Sequence, residues 1–381
     1  MNNNIVILIG FFPDPRFVNR IRTEKQAGSV NLICWDKGYS KLPRPKEDGY
    51  KLYIITEKAK GDPIRRFLPY KLFASKAMKL LKQIAPLVIH VQNLDMLQIA
   101  VCYKKRYNLQ TKIIYEVADL HTLVIDEQRT LIRKAAQKYL INKEKKYSCF
   151  YDRLVLTSEA FYTKYFHNIV SEDRVVIMPN MPDLSLLDGY VAKDHNADFT
   201  VGFIGGIRYK DQIRNLIEAG EATGIKVLLA GYEEGSDEIE QLCKNKPWVE
   251  WIGRFNFKER GAELYGKCDA MYAVYNADME NVRVALPNKL YEAAWCEIPL
   301  FVAKNTYLAE LVDEWGTGIA VDHKSSADLI NEINNLRNDR ERYNKIVEHC
   351  REKKKTIDYH YYEDRLLNAV RDLMNEAKIQ Q

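Results

Sequence analysis

The chain has 381 residues, 46% of them hydrophobic and 29% charged. This is too long for one ordinary core and suits two domains of roughly 150–200 residues. It is a globular composition that excludes a mainly disordered or collagenous protein. The net charge of +5 hides an asymmetry: residues 1–185 carry 31 Lys/Arg against 18 Asp/Glu, whereas residues 186–381 carry 26 against 34. A basic first half beside an acidic second half suggests an anionic partner for the first.

In chain order, Ile5–Phe12 reads as a first strand rather than a leader, being short, interrupted by Gly10 and without a basic start. Further strands are predicted at Val30–Cys34, Leu52–Ile55, Leu87–Val91, Lys112–Glu116, Arg153–Thr157 and Val175–Met178. Several are apolar on both faces, as parallel strands covered by helices should be. Helical patterns fall at Phe17–Gln26, Tyr70–Ile84 and Asp126–Ser148. Residues 182–198 are polar, lose periodicity and read as a linker. A second alternation follows: strand Thr200–Gly205, helix Asp211–Thr223, strand Lys226–Gly231, helix Ser236–Asn245, then strands near Val249–Ile252, Met271–Val274, Leu300–Ala303 and Gly318–Val321. The fold class is therefore α/β, with two Rossmann-like doubly wound domains and ligands expected at the carboxyl ends of the strands. The expected boundaries are 1–183, a linker at 184–199, 200–357, and a final helix within 358–381 that could cross back to the first domain. No apolar run approaches the roughly 20 residues needed to span a bilayer. Seven scattered cysteines, none in a CxxC pair, argue against a zinc site or disulfide framework and fit a reducing cytoplasm.

Several chemistries lack their motifs. GFFPDPR follows the first strand in place of GxGxxG, and neither GxxxxGK[ST] nor GxSxG occurs. No His/Cys/Asp cluster has metal-ligand spacing. Two stretches are informative. Gly205, Gly206, Arg208 and Lys210 lie between a strand and a helix, where glycine backbone can approach an anion and the two cations can meet phosphate oxygens; glycine at such a turn also serves geometry alone. In Leu286–Glu292 (LPNKLYE), Asn288 stands at a helix start as a candidate N-cap. Lys289 follows, a cation that is mildly unfavourable there unless an anion is present. Glu292, a turn later, can accept two hydroxyl hydrogen bonds. The alternative is a capped helix with solvated Lys and Glu.

Together with these stretches, PDPR at 13–16, IHVQNLDML at 89–97, YEVADL at 115–120, TSE at 157–159, VIMPN at 176–180, AG at 230–231 and WIGR at 251–254 follow the order and spacing of a known family. The chain resembles a GT-B glycosyltransferase of the family 4 type, in the branch that builds bacterial capsular and surface polysaccharides. The resemblance implies two domains facing a central cleft. It implies a nucleotide-diphosphate sugar held mainly by the second domain, and a lipid-linked or surface-polysaccharide acceptor on the first. Transfer would retain anomeric configuration, with no cofactor and no metal. Arg208 and Lys289 would neutralise the diphosphate leaving group, with Lys210 a further candidate beside Gly205 and Gly206. Glu292 would hold the ribose hydroxyls, and the backbone of Val284, Ala285 and Leu286 would meet the distal phosphate and sugar. Gly10, Asp14 and Arg16 would border the acceptor.

The chain departs from the pattern at several positions. Val284 replaces the usual Glu eight residues before the ribose Glu, with Glu280 nearby. Gln92, Asn93 and Ala118 replace the usual His, Asp and His. Asp119 or His121 could take over contact with the donor sugar, and Asp119 is the candidate adopted as catalytic. His90 reads as a structural histidine closing an apolar strand. Basic residues at 65, 66, 71, 76, 79 and 82, interleaved with Phe67, Tyr70, Phe73 and Leu80, and a second group at 129, 133, 134 and 138, suit anionic lipid headgroups at about 1 kcal/mol each. A cytoplasmic protein peripheral to the inner membrane face is therefore expected. Nucleic acid is a poorer partner, because no reader motif accompanies the charge. Two further readings keep this architecture: a nucleotide-sugar 2-epimerase, and a non-catalytic nucleotide-sugar-binding partner of another transferase.

Overall fold

A computed structural model describes residues 3–40, 42–59, 63–120, 130–193 and 198–379. The chain divides into two units, 1–179 with 359–381, and 180–358. The first is built on seven strands, β1 (Asn4–Ile9), β2 (Ser29–Asp36), β3 (Lys51–Thr56), β4 (Val88–Gln92), β5 (Lys112–Val117), β6 (Arg153–Leu156) and β7 (Val175–Ile177), all parallel and ordered β3-β2-β1-β4-β5-β6-β7. Strands β4 and β5 are buried along their whole length, which is why apolar residues occupy both faces of each, with His90, Gln92, Lys112 and Glu116 as buried polar exceptions. The order reverses between β1 and β4, opening a crevice at their carboxyl ends.

The helix predicted over 70–84 begins earlier, at Pro63, and carries Pro69 in its second turn. The helix predicted over 126–148 is described from Leu131 to Tyr147, where Thr130 accepts the Arg133 amide as its cap; residues 126–129 lie outside the described residues. The final helix, Tyr359–Ile379, belongs to the first unit. Its Leu366, Val370, Leu373 and Met374 share one core with Ile5, Ile7, Val88 and Ile114.

Beneath this helix lies a buried charge network. Arg20 donates to both oxygens of Glu116 (3.1 and 3.3 Å), to Tyr359 Oη (3.4 Å) and to the Met178 carbonyl (3.4 Å). His90 sits between the carboxylates of Glu24 and Glu116, with Nδ1 on Glu24 and Nε2 3.2 Å from Glu116. Burial by itself would push the His90 pKa down. The two carboxylates outweigh it and hold the imidazole up, at about 9. Burial likewise opposes ionisation of Glu116, but Arg20, His90 and Arg16 keep its carboxyl well below the usual carboxylate range. His90 is thus the structural histidine expected of it. Glu363 of the final helix accepts from Arg22 (2.9 Å) and Thr23 (3.1 Å), extending the network across two helices.

The second unit holds six parallel strands, β8 (Thr200–Ile204), β9 (Lys226–Ala230), β10 (Val249–Gly253), β11 (Ala270–Ala273), β12 (Leu300–Ala303) and β13 (Gly318–Val321), ordered β10-β9-β8-β11-β12-β13. Its core is formed by Val201, Phe203, Leu216, Val227, Leu229, Tyr272 and Phe301 with their neighbours. The unit starts at Asn180, ahead of the expected boundary at 183. The segment expected as a linker is anchored there, because Leu184 and Leu187, one turn apart in a 3-10 helix, are both buried. Asp183 caps that turn through the Ser185 amide (3.2 Å).

The folded state holds the His90 proton more tightly than the unfolded chain, whose pKa is about 6.5. The stabilisation is therefore complete below about pH 6.5 and is lost as pH rises through about 9. Denaturant unfolding followed from pH 6 to 9.5 should show wild-type stability falling across this window. The slope should flatten in His90→Gln.

Candidate functional site

In the second unit the strand order reverses between β8 and β11, so the loops that follow these strands border a ready-made crevice. The loop after β8 is fixed by close backbone contacts. The Gly205 amide donates to the Ala230 carbonyl (2.8 Å), and the Gly231 amide to the Gly253 carbonyl (2.8 Å). Gly205 has φ +142° and Gly231 φ +136°, and a Cβ on Gly231 would lie 1.9 Å from the Gly205 oxygen. Only glycine lets the ends of β8 and β9 pass this closely.

Lys289 projects into this crevice. It opens the helix Lys289–Trp295 yet is only 8% exposed. Its Nζ lies 2.8 Å from the Cβ position of Gly205, so the absence of a side chain there makes room for the ammonium. Nζ donates to Tyr275 Oη (3.3 Å) and stands 4.5 Å from the centre of the Phe203 ring. Among the described residues no carboxylate forms an ion pair with it. A buried cation whose partners are a phenol and two aromatic faces is poorly compensated, although the aromatic faces offset part of the cost. Tyr275 and Phe203 are site residues that sequence reasoning missed. Their signal was placement alone, Phe203 within β8 and Tyr275 two residues past β11.

The other residues singled out on this side divide. Gly206 lies beside the Glu233 carboxylate, 3.1 Å from its own Cβ position. Arg208 is largely exposed, with Nε 3.7 Å from that carboxylate. Lys210 turns away, into an ion pair with Glu238 (3.0 Å) on the neighbouring helix. Asn288 occupies the N-cap position but makes no side-chain cap bond, and its Oδ1 is buried without a partner. Val284 ends a short helix, Glu280–Val284, and is fully buried; the Ala285 amide already donates to the Asn281 carbonyl (2.9 Å), and Leu286 follows in the loop. Glu280 pairs with Arg283 (2.5 Å). Glu292 is buried one turn beyond Lys289 and accepts from Tyr265 Oη (2.5 Å). Burial raises its carboxyl above the ordinary range, against the pull of Lys289 and the Tyr265 hydroxyl.

In the first unit, Asp14 caps the helix Pro15–Glu24 by accepting the Phe17 amide (2.9 Å). Arg16 reaches back to Asp14 (3.0 Å) and toward Glu116 (3.8 Å). Gly10 has space for a Cβ, with nothing closer than Met96 Cε at 3.6 Å. Asp119 is exposed and lines a cavity of about 510 Å³ at the carboxyl ends of β4 and β5, together with Arg66, Gln92 and Asp95. The structure does not gather Gly10, Asp14 and Arg16 around this cavity. His121, the alternative to Asp119, lies outside the described residues. No group of three or more potential metal-ligating side chains occurs among the described residues.

Comparison with known proteins fits this geometry. Residues 192–353 match the family described as "Glycosyl transferases group 1", so the second unit carries a domain of that type. The succinoglycan biosynthesis protein ExoL of Rhizobium meliloti is 23% identical over 220 residues, which make up 54% of this chain. The chain spans about half the length of that curated relative, 53%. Among solved structures, a sucrose-phosphate synthase from Thermosynechococcus elongatus superposes with a TM-score of 0.72 at 13% identity, over 98% of this chain and 99% of that one. Anabaena Alr3699/HepE in complex with UDP does so with a TM-score of 0.69 at 14% identity, over 96% and 99%. The fold is thus that of GT-B glycosyltransferases, two parallel-sheet α/β domains.

Gly231→Ala should destabilise the second unit by about 2 kcal/mol or more, since it combines left-handed strain with a backbone clash. Urea unfolding compared with wild type measures it, and an unchanged midpoint would contradict the close packing of these two loops.

Proposed function

We propose that the chain is a retaining glycosyltransferase of the family 4 type. It moves a sugar from a nucleotide-diphosphate sugar to a lipid-linked or surface-polysaccharide acceptor. The observation that carries the reading is the Lys289 ammonium, buried at the crevice beside Gly205 without a carboxylate partner. A diphosphate is a ligand whose charge would complete it. The group 1 domain over residues 192–353 and the binding of UDP by HepE support a nucleotide-sugar donor. The likeness to ExoL, a succinoglycan biosynthesis protein, supports a polysaccharide product.

In this reading Lys289 and the exposed Arg208 compensate the diphosphate with no resident metal, and the amino end of helix Lys210–Thr223 adds positive potential. The glycosidic C–O bond to the distal phosphate breaks, and a C–O bond to the acceptor hydroxyl forms on the same face of the sugar. The hydroxyl proton passes to the departing nucleoside diphosphate. The cations lower the barrier by stabilising charge that grows on that leaving group. Glu292 takes the ribose hydroxyls on the oxygen that Tyr265 leaves open. Gly205, Gly206 and the backbone around Leu286 line the phosphates, Lys210 acts by exchanging its Glu238 partner, and Asp119 contacts the transferred sugar.

The first unit supplies the membrane side. Helix Pro63–Ile84 carries six cations and no acid, and exposes Phe67, Leu68 and Leu72. Helix Leu131–Tyr147 exposes Leu131, Ile132 and Tyr139 among its cations. No described helix is long and apolar enough to cross a membrane, so attachment would be peripheral, at the inner face. A second reading, a binding partner without turnover, draws on the fully buried Val284 at the place of the family's sugar-contacting carboxylate.

A thermal-shift panel of nucleoside diphosphates tests the site. A ligand at 100 times its Kd should stabilise wild type by about 2.7 kcal/mol, and Lys289→Ala should abolish the shift. No shift with any nucleotide would sink the donor-site reading, whereas a shift without turnover on any acceptor would favour the binding partner. In co-flotation, the protein should follow vesicles containing phosphatidylglycerol and not pure phosphatidylcholine, and high salt should release it. Equal recovery with both vesicles would remove the electrostatic attachment.

A further inference from the structure

The phenol that meets Lys289 has a hydrogen-bond donor to spare. Tyr275 lies two residues past β11, across the crevice from the loop that follows β8. Its ring packs against the core of the second unit. It also stands 5.3 Å from the ring of Tyr209, which occupies the N-cap position of helix Lys210–Thr223 on the other side of the crevice. The chain beyond Tyr275 is tied down as well: the Arg283 guanidinium donates to the Ala277 carbonyl (2.7 Å), and Lys324 pairs with Asp278 (2.8 Å). The hydroxyl is thus carried by a fixed ring on an anchored loop, an arrangement that lets a donor act with little reorganisation.

The bond between the two side chains has only one possible direction. An ammonium has three N–H donors and no acceptor, so Lys289 donates and Tyr275 Oη accepts, at 3.3 Å, longer than usual for such a bond. The phenolic O–H then points away from Nζ, and Tyr275 Oη forms no other hydrogen bond among the described residues. A face for the cation is not what this tyrosine mainly supplies. The Phe203 ring already lies 4.5 Å from Nζ at its centre, against 5.9 Å for Tyr275. What Tyr275 adds over a phenylalanine is a hydroxyl beside the ammonium. With Nζ and Oη 3.3 Å apart, one anionic oxygen can accept from both.

We propose that Tyr275 is a further diphosphate-binding residue, whose hydroxyl accepts from Lys289 and donates to the phosphate oxygen that Lys289 meets. This rests on the donor-site reading above and adds a neutral donor to its cations. The phenol strengthens the hold on the diphosphate without adding charge.

Equilibrium binding to the full-length protein tests this, with UDP, GDP, CDP and ADP as probes and the titrations repeated over a range of salt concentrations. Wild type, Tyr275→Phe and Arg208→Gln are compared, and ligand-free melting of the same samples confirms that each is folded. Tyr275→Phe keeps the ring and should bind the preferred nucleotide about tenfold more weakly, as the loss of a hydrogen bond to a charged group implies. Because the lost donor is neutral, the salt dependence of binding should stay that of wild type, whereas Arg208→Gln, which removes a charge, should flatten it. Affinity within about twofold of wild type would overturn the proposal. Weaker binding with a flattened salt dependence would overturn it too, since Tyr275 would then serve only to place the ammonium. The two readings fail separately: no binding of any of the four nucleotides to wild type removes the donor site and this contact with it, whereas binding that Tyr275→Phe leaves unchanged removes the Tyr275 contact alone.

Discussion

The second unit is organised around one unfavourable placement, an ammonium held out of water that forms no ion pair with a carboxylate among the described residues. Lys289 reaches its position because Gly205 has no side chain, and Gly205 holds its conformation because Gly231 allows the ends of β8 and β9 to close on each other. Phe203 and Tyr275 then supply the faces that make the burial tolerable. Each contact costs local freedom or desolvation, and a purely structural role would be served at lower cost by an apolar side chain. The arrangement becomes economical when an anion enters, because the charge is already stripped of water and pointed, so little reorganisation remains at the moment of binding.

The first unit shows the opposite treatment of buried charge. Around β4 and β5, His90 lies between two carboxylates, Arg20 spans Glu116, and Arg16 is tied to Asp14. Arg20, His90 and Arg16 each lie beside an acid, and the final helix joins the same network through Tyr359 and Glu363. A charge-paired network of this kind specifies packing, here the seating of the final helix on the sheet. Paired charges hold this part of the fold, whereas Lys289 of the second unit forms no ion pair among the described residues and is the group on which the proposed donor site rests.

Much of this architecture was legible in the sequence. Strands buried on both faces, such as VIHVQ and KIIYEV, advertise themselves by β-branched residues with little polar alternation, and the thirteen described strands fall within a few residues of their expected places. The edges were harder. Pro69 hid the first turns of helix Pro63–Ile84, and Leu184 and Leu187 anchor a segment whose surrounding residues are polar enough to read as a linker. At the site, the chemistry of Gly205, Lys289 and Glu292 could be read from residue type and spacing. Direction could not: Lys210 and Asp14 have suitable chemistry but point at Glu238 and at the backbone of their own helix. Tyr265 and Tyr275 join Glu292 and Lys289 only through pairings 27 and 14 residues apart in sequence, which no local pattern encodes.

The departures from the family pattern are consistent with one another when considered by charge. Val284 occupies the position of an acid and is sealed in the core, while Glu280, the nearby substitute, is engaged by Arg283, whose guanidinium also holds the Ala277 carbonyl. Neither position on this loop therefore presents an uncommitted carboxylate. Discrimination would have to come from hydroxyl-by-hydroxyl contacts to backbone and neutral groups. Buried groups of this kind reject a ligand lacking their partner more strongly than an apolar wall rejects an added methylene. In the first unit Gln92 and Asn93 stand where the family has His and Asp, again exchanging titratable groups for amides. Both changes remove a titratable group from a position where the resembled pattern carries one, so in the glycosyl-transfer reading the diphosphate charge would fall to Lys289 and Arg208.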